Sequence, residues 1–179
     1  MRVKYLTTAP RQTKKLGEIL AKEVLRTKVS QKGALIVGLE GDLGGGKTTF
    51  LQGLAKGLGI KEKILSPTFI IIKAFKIPSS NFKFPTRPNG SRPTEQLQSF
   101  GRAAGRISNF QKLIHVDAYR LKDEKELEKL GWKDLISNPK NLIFIEWPEN
   151  VIKALPKKHH KVSISHIKEG HRKFKIKSI

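Results

Sequence analysis

The amino-acid sequence predicts an α/β fold in which helices flank one central, mostly parallel sheet. Two observations lead to this prediction: short runs of apolar residues alternate with amphipathic segments, and a glycine-rich loop joins one run to a helix. Strands that are apolar at successive positions are typical of parallel sheets buried on both faces. Because 179 residues is the length of one ordinary domain, we expect residues 1–179 to form a single domain.

Apolar periodicity assigns the individual elements. The predicted strands are runs of apolar, often β-branched residues, and they cover 34–39, 69–77, 113–119 and 142–145. The predicted helices have apolar residues on one face, and they cover 13–28, 48–57 and 123–130. Near the end of the chain, apolar and polar residues alternate over 162–164 and 173–176, which predicts a C-terminal antiparallel strand pair.

Residues 78–112 interrupt this pattern. They contain four prolines and three glycines without a sustained period, and they carry six basic residues against one acidic residue. A structureless loop longer than about 12–15 residues is uncommon inside a compact domain. We therefore expect a flexible basic insertion at 78–112, with an RNA-contacting arm as the alternative interpretation.

The charge balance favours polyanionic partners. Lys and Arg number 36 against 15 Asp and Glu, a formal net charge of +21, so RNA, nucleotides and acidic proteins are the natural candidates. The absence of cysteine excludes disulfides, cysteine-bound zinc and thiol catalysis. The start of the chain lacks the apolar stretch of a signal peptide, and no run approaches the roughly 18 apolar residues of a membrane span. We expect a cytoplasmic protein without a membrane partner.

The loop from Gly41 to Thr48, GDLGGGKT, fits the pattern G-x-x-x-x-G-K-[ST]. Its glycines let backbone amides converge on phosphate oxygens. Lys47 supplies a compact cation for the β- and γ-phosphates, and the Thr48 hydroxyl is a hard ligand suited to Mg²⁺. A predicted buried strand precedes this loop and a predicted helix follows it. The motif in this context predicts a phosphate-binding P-loop. The fold class becomes a three-layer sandwich of the P-loop NTPase type, with ATP and Mg²⁺ as expected cofactors.

Two carboxylates follow predicted buried strands. Glu146 comes directly after the run 142–145, at the carboxyl end where open α/β sheets place their ligands. A carboxylate there can hold Mg²⁺ or orient an attacking water. Asp117 ends another apolar run, where it would assist the metal, act as a base for water, or cap the following helix. Lys47, Asp117 and Glu146 are the predicted catalytic residues. Thr68, after a proline, would sense the γ-phosphate or simply belong to a turn.

Four motifs occur together in a characteristic order. They are GDLGGGKTTF at 41–50, SPTF at 66–69, HVDAYR at 115–120 and IEWPE at 145–149. This combination resembles the signature of the TsaE family, small bacterial ATPases of tRNA threonylcarbamoyladenosine synthesis. The resemblance covers nearly the whole chain except 78–112, where family members have a much shorter connection.

The resemblance implies a partner-dependent ATPase. Such a subunit hydrolyses ATP in support of the TsaB–TsaD complex, which transfers the threonylcarbamoyl group to adenosine 37 of tRNAs reading codons that begin with A. The chain would meet tRNA through that complex. The two rival functions that the residues leave open are a P-loop small-molecule kinase, with 78–112 as its lid, and a nucleotide-switched RNA-binding module.

The resemblance also implies roles for individual residues. Those expected to bind the nucleotide are Pro10, Gly44, Gly45, Gly46, Lys47, Thr48, Thr49 and Gly170, with Pro10 and Gly170 near the base. Thr48 and Glu146 would be the Mg²⁺ ligands. Trp147 matches a characteristic tryptophan beside the metal-binding glutamate, and with Thr68 it is a candidate switch or partner-contact residue.

Overall fold

A single mixed sheet organises the fold. The computed structural model describes residues 2–26, 32–67, 69–78 and 110–177. The strands in these residues are, in chain order, β1 Arg2–Thr7, β2 Leu35–Glu40, β3 Ile72–Lys76, β4 Lys112–Asp117, β5 Asn141–Glu146, β6 His160–Lys168 and β7 His171–Lys177. They form one sheet in the order β1-β7-β6-β2-β5-β4-β3. The predicted α/β class is therefore confirmed at the level of one mixed sheet with flanking helices.

The four central strands of the sheet are parallel. β6, β2, β5 and β4 pair in parallel, whereas β1, β7 and β3 add antiparallel pairings at the two sides. The predicted C-terminal antiparallel pair is present as β6 and β7. The expectation of a mostly parallel sheet applies to the centre alone, because the β6–β7 hairpin and β1 extend one side in antiparallel fashion.

Helices cover both faces of the central strands. The helices are α1 Pro10–Arg26, α2 Lys47–Gly57, α3 Glu124–Glu128, α4 Trp132–Ser137 and a 3₁₀-helix Pro148–Ala154. On one face, α1 and α2 bury an apolar cluster that includes Leu20, Phe50 and Phe174. On the other face, a second cluster contains Leu127 and Trp132 from the short helices. In the described residues, no helix is long and apolar enough to cross a membrane.

Several boundaries differ from the sequence predictions. The strand expected from Phe69 begins only at Ile72, because residues 69–71 are in a turn, and the Ile70 amide donates to the Pro67 carbonyl at 2.9 Å. β1, α4 and the 3₁₀-helix were not predicted, since each is short and only half apolar. Tertiary pairing, in particular of β1 with β7, stabilises such segments where local patterning is weak.

The predicted insertion at 78–112 lies mostly outside the described residues. Its last part, however, belongs to the sheet: Phe110 is buried, and Lys112 is the first residue of β4. The Ile77 amide donates to the Gln111 carbonyl at 2.9 Å, so the two described ends of this segment lie side by side. The insertion was predicted to end at residue 112, but the sheet region already includes Phe110. The predicted end of the insertion is therefore too late.

Helices α1 and α2 cross with their backbones in close contact. An added Cβ on Gly53 of α2 would overlap the Lys14 carbonyl, and one on Gly17 of α1 would overlap the Phe50 carbonyl. A glycine on each helix therefore permits this approach. The contact matters for the site because α2 begins at the glycine-rich loop, and α1 fixes its position.

We expect Gly53→Ala to destabilise the protein by about 1–3 kcal/mol, the usual cost of overpacking. The loss should appear although alanine is intrinsically the better helix former by about 1 kcal/mol. Urea denaturation measures the change, with Lys22→Ala on the exposed side of α1 as the control that should leave the midpoint unchanged. An unaltered midpoint for Gly53→Ala would contradict the tight crossing.

Candidate functional site

A cavity of about 390 Å³ lies at the carboxyl ends of the central strands. The glycine-rich loop between β2 and α2 forms one side through residues 43–49, and the opposite side is formed by Ser66, Asp117, Tyr119, Glu146 and Trp147. The structure thus brings the loop and both predicted carboxylates to one space. This is the position at which open α/β sheets bind ligands.

The loop owes its shape to glycine at two positions. Gly46, the N-cap of α2, has a left-handed backbone with φ 102°, which other residues adopt only with strain. Gly41 packs against β6, where a Cβ would overlap the Ile164 carbonyl. Because Gly46 offers no side-chain cap, the first amides of α2 are available to an anion at the helix N-terminus.

Lys47 is a buried lysine whose ammonium contacts three groups. Its Nζ donates to the Gly41 carbonyl at 2.6 Å and to the Asp42 carbonyl at 2.9 Å, and it lies 3.9 Å from the centroid of a Trp147 ring. Burial lowers the pKa of Lys47 below its ordinary value, while the negative charges of Glu146 and Asp117 partly oppose that shift. The ammonium is held in place but weakly solvated, which strengthens its attraction for an anion.

Glu146 connects the loop to the sheet. Its Oε1 accepts a hydrogen bond from the Thr48 hydroxyl at 3.4 Å and lies 2.8 Å from Nε2 of His115. His115 is fully buried, and in the described residues its Nδ1 has no hydrogen-bond partner. An ionised carboxylate only accepts, so the His115 Nε2–H donates to it. This bond fixes the orientation of the carboxylate next to Thr48.

Both carboxylate oxygens of Asp117 are also engaged. The Ser66 hydroxyl donates to Oδ2 at 2.6 Å, and the Tyr119 amide donates to Oδ1 at 3.1 Å. The alternative that Asp117 caps the next helix is wrong, because Asp123 is the N-cap of α3 and accepts from two of its amides. Asp117 instead orders the turn that leaves β4.

Strand register explains why these side chains meet. Asp117 lies directly opposite Glu146 in the parallel pair of β4 and β5. His115 precedes Asp117 by two residues, so both side chains project from the same face of the sheet. That face carries α2, and the last side chains of both strands therefore point toward the glycine-rich loop.

The remaining predicted residues have different positions. Thr49 lines the cavity, whereas Pro10, the exposed first residue of α1, and Gly170, in the β6–β7 turn, do not. Trp147 follows β5 with φ 59°, an uncommon backbone for a large residue, and packs on Tyr119 with ring centroids 5.1 Å apart. Thr68 lies outside the described residues. The roles assigned to all of them stay predictions.

Three contacts were missed as site features. His115 and Ser66 occur inside the quoted motifs, but their hydrogen bonds to Glu146 and Asp117 join residues from different elements. Arg172 of β7 reaches the loop, where its Nε donates to the Gly45 carbonyl at 3.0 Å. The alternation of β7 indicates that Arg172 shares a face with Phe174, but local pattern carries no information about the distance to the loop.

The fold and the site together identify the chain as an α/β nucleotide-binding protein. The family model described as threonylcarbamoyl adenosine biosynthesis protein TsaE matches residues 7–84 and 98–174. The chain belongs to the TsaE family. The unmatched stretch between the two ranges falls inside the predicted insertion.

Individual relatives agree with this assignment. The tRNA threonylcarbamoyladenosine biosynthesis protein TsaE of Bacillus subtilis is 28% identical over 99% of this chain and 86% of its own length. The protein of the same name from Haemophilus influenzae is 30% identical over 86% of this chain and 73% of its own length. Among solved structures, Bacillus subtilis YdiB has the same fold, with a TM-score of 0.62 and 24% identity over 98% of this chain and 84% of that chain.

Proposed function

We propose that the chain is a Mg²⁺-dependent ATPase, a P-loop NTPase-type domain that supports threonylcarbamoyladenosine modification of adenosine 37 in tRNA. Its relatives are named for the biosynthesis of this nucleoside. TsaB and TsaD are its partners in the proposal, and tRNA is met through their complex. One observation carries the ATPase assignment: Lys47, Thr48, Asp117 and Glu146 line a single cavity at the ends of parallel strands.

The donor set fits a nucleoside triphosphate with a hard divalent cation. The Thr48 hydroxyl and the Glu146 carboxylate are 3.4 Å apart, and both are oxygen ligands of the kind that Mg²⁺ prefers. A Cβ on Gly44 would meet no atom within 4 Å, so the loop has free space at this position. When bound, Mg²⁺ neutralises charge on the phosphates; Thr48 and Glu146 are the residues that would hold it.

The residues of the site divide the work of hydrolysis. Lys47 and the first amides of α2 bind the phosphates and offset the charge that develops as water attacks the γ-phosphate. Asp117, which accepts hydrogen bonds from Ser66 and the Tyr119 amide, orients that water in this proposal. Trp147 covers Lys47 and limits the access of bulk solvent to its ammonium.

Partner-dependent turnover tests this function. ATP hydrolysis is measured as phosphate release by the chain alone, with the TsaB–TsaD complex, and with the complex plus unmodified tRNA and an activated threonylcarbamoyl donor. We expect the highest rate in the complete mixture, together with modified adenosine 37 in the tRNA. Equal rates in all three mixtures and no modified nucleoside would refute the proposal.

The kinase alternative would need an acceptor site beside the loop. A second cavity in the described residues, of about 490 Å³, is lined by Gly33, Leu35 and Ile36 at the start of β2, whereas the glycine-rich loop follows the end of β2. A phosphate acceptor bound there would be separated from the loop by the length of the strand. Transfer of labelled phosphate to a small molecule, in place of free phosphate, would favour a kinase.

His115 is expected to position Glu146. His115→Ala removes the hydrogen bond to Oε1, and loss of such a supporting partner usually costs about 10- to 100-fold in metal affinity or activity. The Mg²⁺ concentration needed for half-maximal hydrolysis should therefore rise, while His115→Gln, which keeps an N–H donor, should recover part of the loss. His166→Ala, at an exposed position of β6, is the control. An unchanged Mg²⁺ dependence in His115→Ala would rule out the positioning role.

A further inference from the structure

A row of lysines lies on the side of the sheet that α1 and α2 do not cover. In β7, Phe174 and Ile176 are buried on the helix side, whereas Lys173, Lys175 and Lys177 are exposed. Successive side chains of a strand point to opposite faces, so the three lysines share the other face. The Cα atoms of successive lysines in this row are about 6.7 Å apart along the strand. None of them has a part in the proposed hydrolysis.

Neighbouring strands enlarge this row into a patch. On one side, Lys4 of β1 lies opposite Lys175. On the other side, in β6, Ser163 also lies opposite Lys175. Ser165 lies opposite Lys173, and Lys161 lies opposite Lys177. We call this patch the lysine face; it consists of Lys4, Leu6, Lys161, Ser163, Ser165, Lys173, Lys175 and Lys177. Adjacent strands are about 4.8 Å apart, so five ammonium groups project from three neighbouring strands.

Most of this positive charge has no acidic partner. Lys161 is paired with Glu40 at 2.7 Å. Within the described ranges, Lys4, Lys173, Lys175 and Lys177 form no ion pair. The direct opposition of Lys4 and Lys175 is unfavourable for the fold, because like charges across two strands repel. A bound polyanion would remove this repulsion.

Protection of a sheet edge does not explain the lysine face. Lysine on an edge strand discourages pairing with other chains, and this accounts for Lys4 on β1, the edge of the sheet. β7 is paired on both sides, with β1 and with β6. Its three lysines therefore need another explanation.

We propose that the lysine face binds the sugar–phosphate backbone of RNA. Lysine ammonium groups bind phosphates as point charges without demanding one geometry, and serine hydroxyls commonly donate to phosphate oxygens. A flat array of this kind would follow a backbone without reading bases. The choice of RNA over other polyanions rests on the proposed function in tRNA modification, whereas the choice of a phosphate backbone rests on the charges alone.

The composition of the patch disfavours other occupants. Protein interfaces are enriched in aromatic residues and depleted in lysine at their cores, and amphipathic membrane-surface binders combine basic residues with inserted apolar side chains. The lysine face, as defined by its eight described residues, contains no aromatic side chain and offers Leu6 as its exposed apolar one. A charged backbone matches this surface better than an acidic protein or a lipid headgroup layer.

The test measures binding of a fluorescent, unmodified tRNA transcript by anisotropy over a range of salt concentrations, without nucleotide. The first variant carries Lys4→Gln, Lys173→Gln, Lys175→Gln and Lys177→Gln. A matched control removes four exposed lysines elsewhere, through Lys61→Gln, Lys63→Gln, Lys122→Gln and Lys129→Gln, and so has the same net charge. A third variant replaces the first four lysines by arginine and keeps the charge.

We expect the first variant to bind tRNA about tenfold more weakly or worse at moderate salt. Its slope of log affinity against log salt should be smaller by about 3, since each phosphate contact contributes about 0.7–0.9. The control and the arginine variant should bind like the wild type. Circular dichroism checks the fold, and ATP hydrolysis should be unchanged, because the lysine face and the cavity use different residues.

Several outcomes would overturn the proposal. These are a wild type that does not bind tRNA and a control as weak as the first variant. Normal tRNA binding with lost affinity for the TsaB–TsaD complex would identify a protein interface instead. Absence of ATP hydrolysis in the wild type would refute the proposed function. It would not affect the RNA-binding result, because that result is measured independently and without nucleotide.

Discussion

Lys47→Ala should reduce ATP hydrolysis by about 10²- to 10³-fold, the usual effect of removing one group that stabilises transition-state charge. The reason lies in the surroundings of Lys47. Its ammonium is buried at the loop and donates to the Gly41 and Asp42 carbonyls. Water that enters the space left by an alanine would not supply the lost positive charge. ATP affinity should fall as well, because the ammonium also binds phosphates in the ground state.

Phosphate release at saturating ATP and calorimetric titration of ATP measure the two effects. Lys56→Ala is the matched control, since Lys56 lies on the same helix but is exposed and paired with Glu18; it should hydrolyse ATP normally. Thr48→Ala should also lose turnover. Undiminished hydrolysis in both Lys47→Ala and Thr48→Ala would mean that the cavity is not the nucleotide site.

The pH dependence of ATP binding follows from the burial of Lys47. Burial lowers the pKa of this lysine, whereas a bound triphosphate would favour its charged form. ATP should therefore bind best at a pH below the pKa of Lys47 in the free protein, and affinity should fall as the pH rises through that value. The fall should begin at a lower pH than the ordinary titration of lysine. Lys47→Ala should lack this alkaline limb.

The parts of the site that could be predicted from sequence are those encoded within one element. Lys47 and Thr48 belong to one loop and helix, and Asp117 and Glu146 each end an apolar run, so their meeting follows from the parallel pairing of β4 and β5. What could not be predicted joins elements distant in sequence. The Arg172 bond to Gly45 depends on the packing of β7 beside the loop.

The position of the Trp147 ring also could not be predicted from the local sequence. The motif IEWPE indicates a tryptophan beside Glu146, the proposed metal ligand, but the contact of its ring with Lys47 depends on a left-handed backbone at Trp147. No apolar periodicity encodes that conformation. β1 was missed for a related reason, since its six residues are stabilised as a strand through pairing with β7.

Glu146→Gln should separate ATP binding from ATP hydrolysis. The amide has nearly the same shape as the carboxylate, and its oxygen can still accept from His115, so we expect ATP affinity within a few-fold of the wild type. The negative charge is lost, and with it a ligand for Mg²⁺ and a group to orient water. Hydrolysis should therefore fall by about 10²-fold or more. Titration with ATP and phosphate release test the two halves separately.

A second effect of Glu146→Gln distinguishes an electrostatic role from a purely structural one. The charge of Glu146 raises the pKa of Lys47 against the effect of burial. Removing that charge should lower the pKa of Lys47 further, so the alkaline loss of ATP affinity should move to lower pH than in the wild type. Glu149→Gln is the matched control, because Glu149 is exposed and its charge affects Lys47 less. An unshifted alkaline limb in Glu146→Gln would show that the charge of Glu146 does not raise the pKa of Lys47.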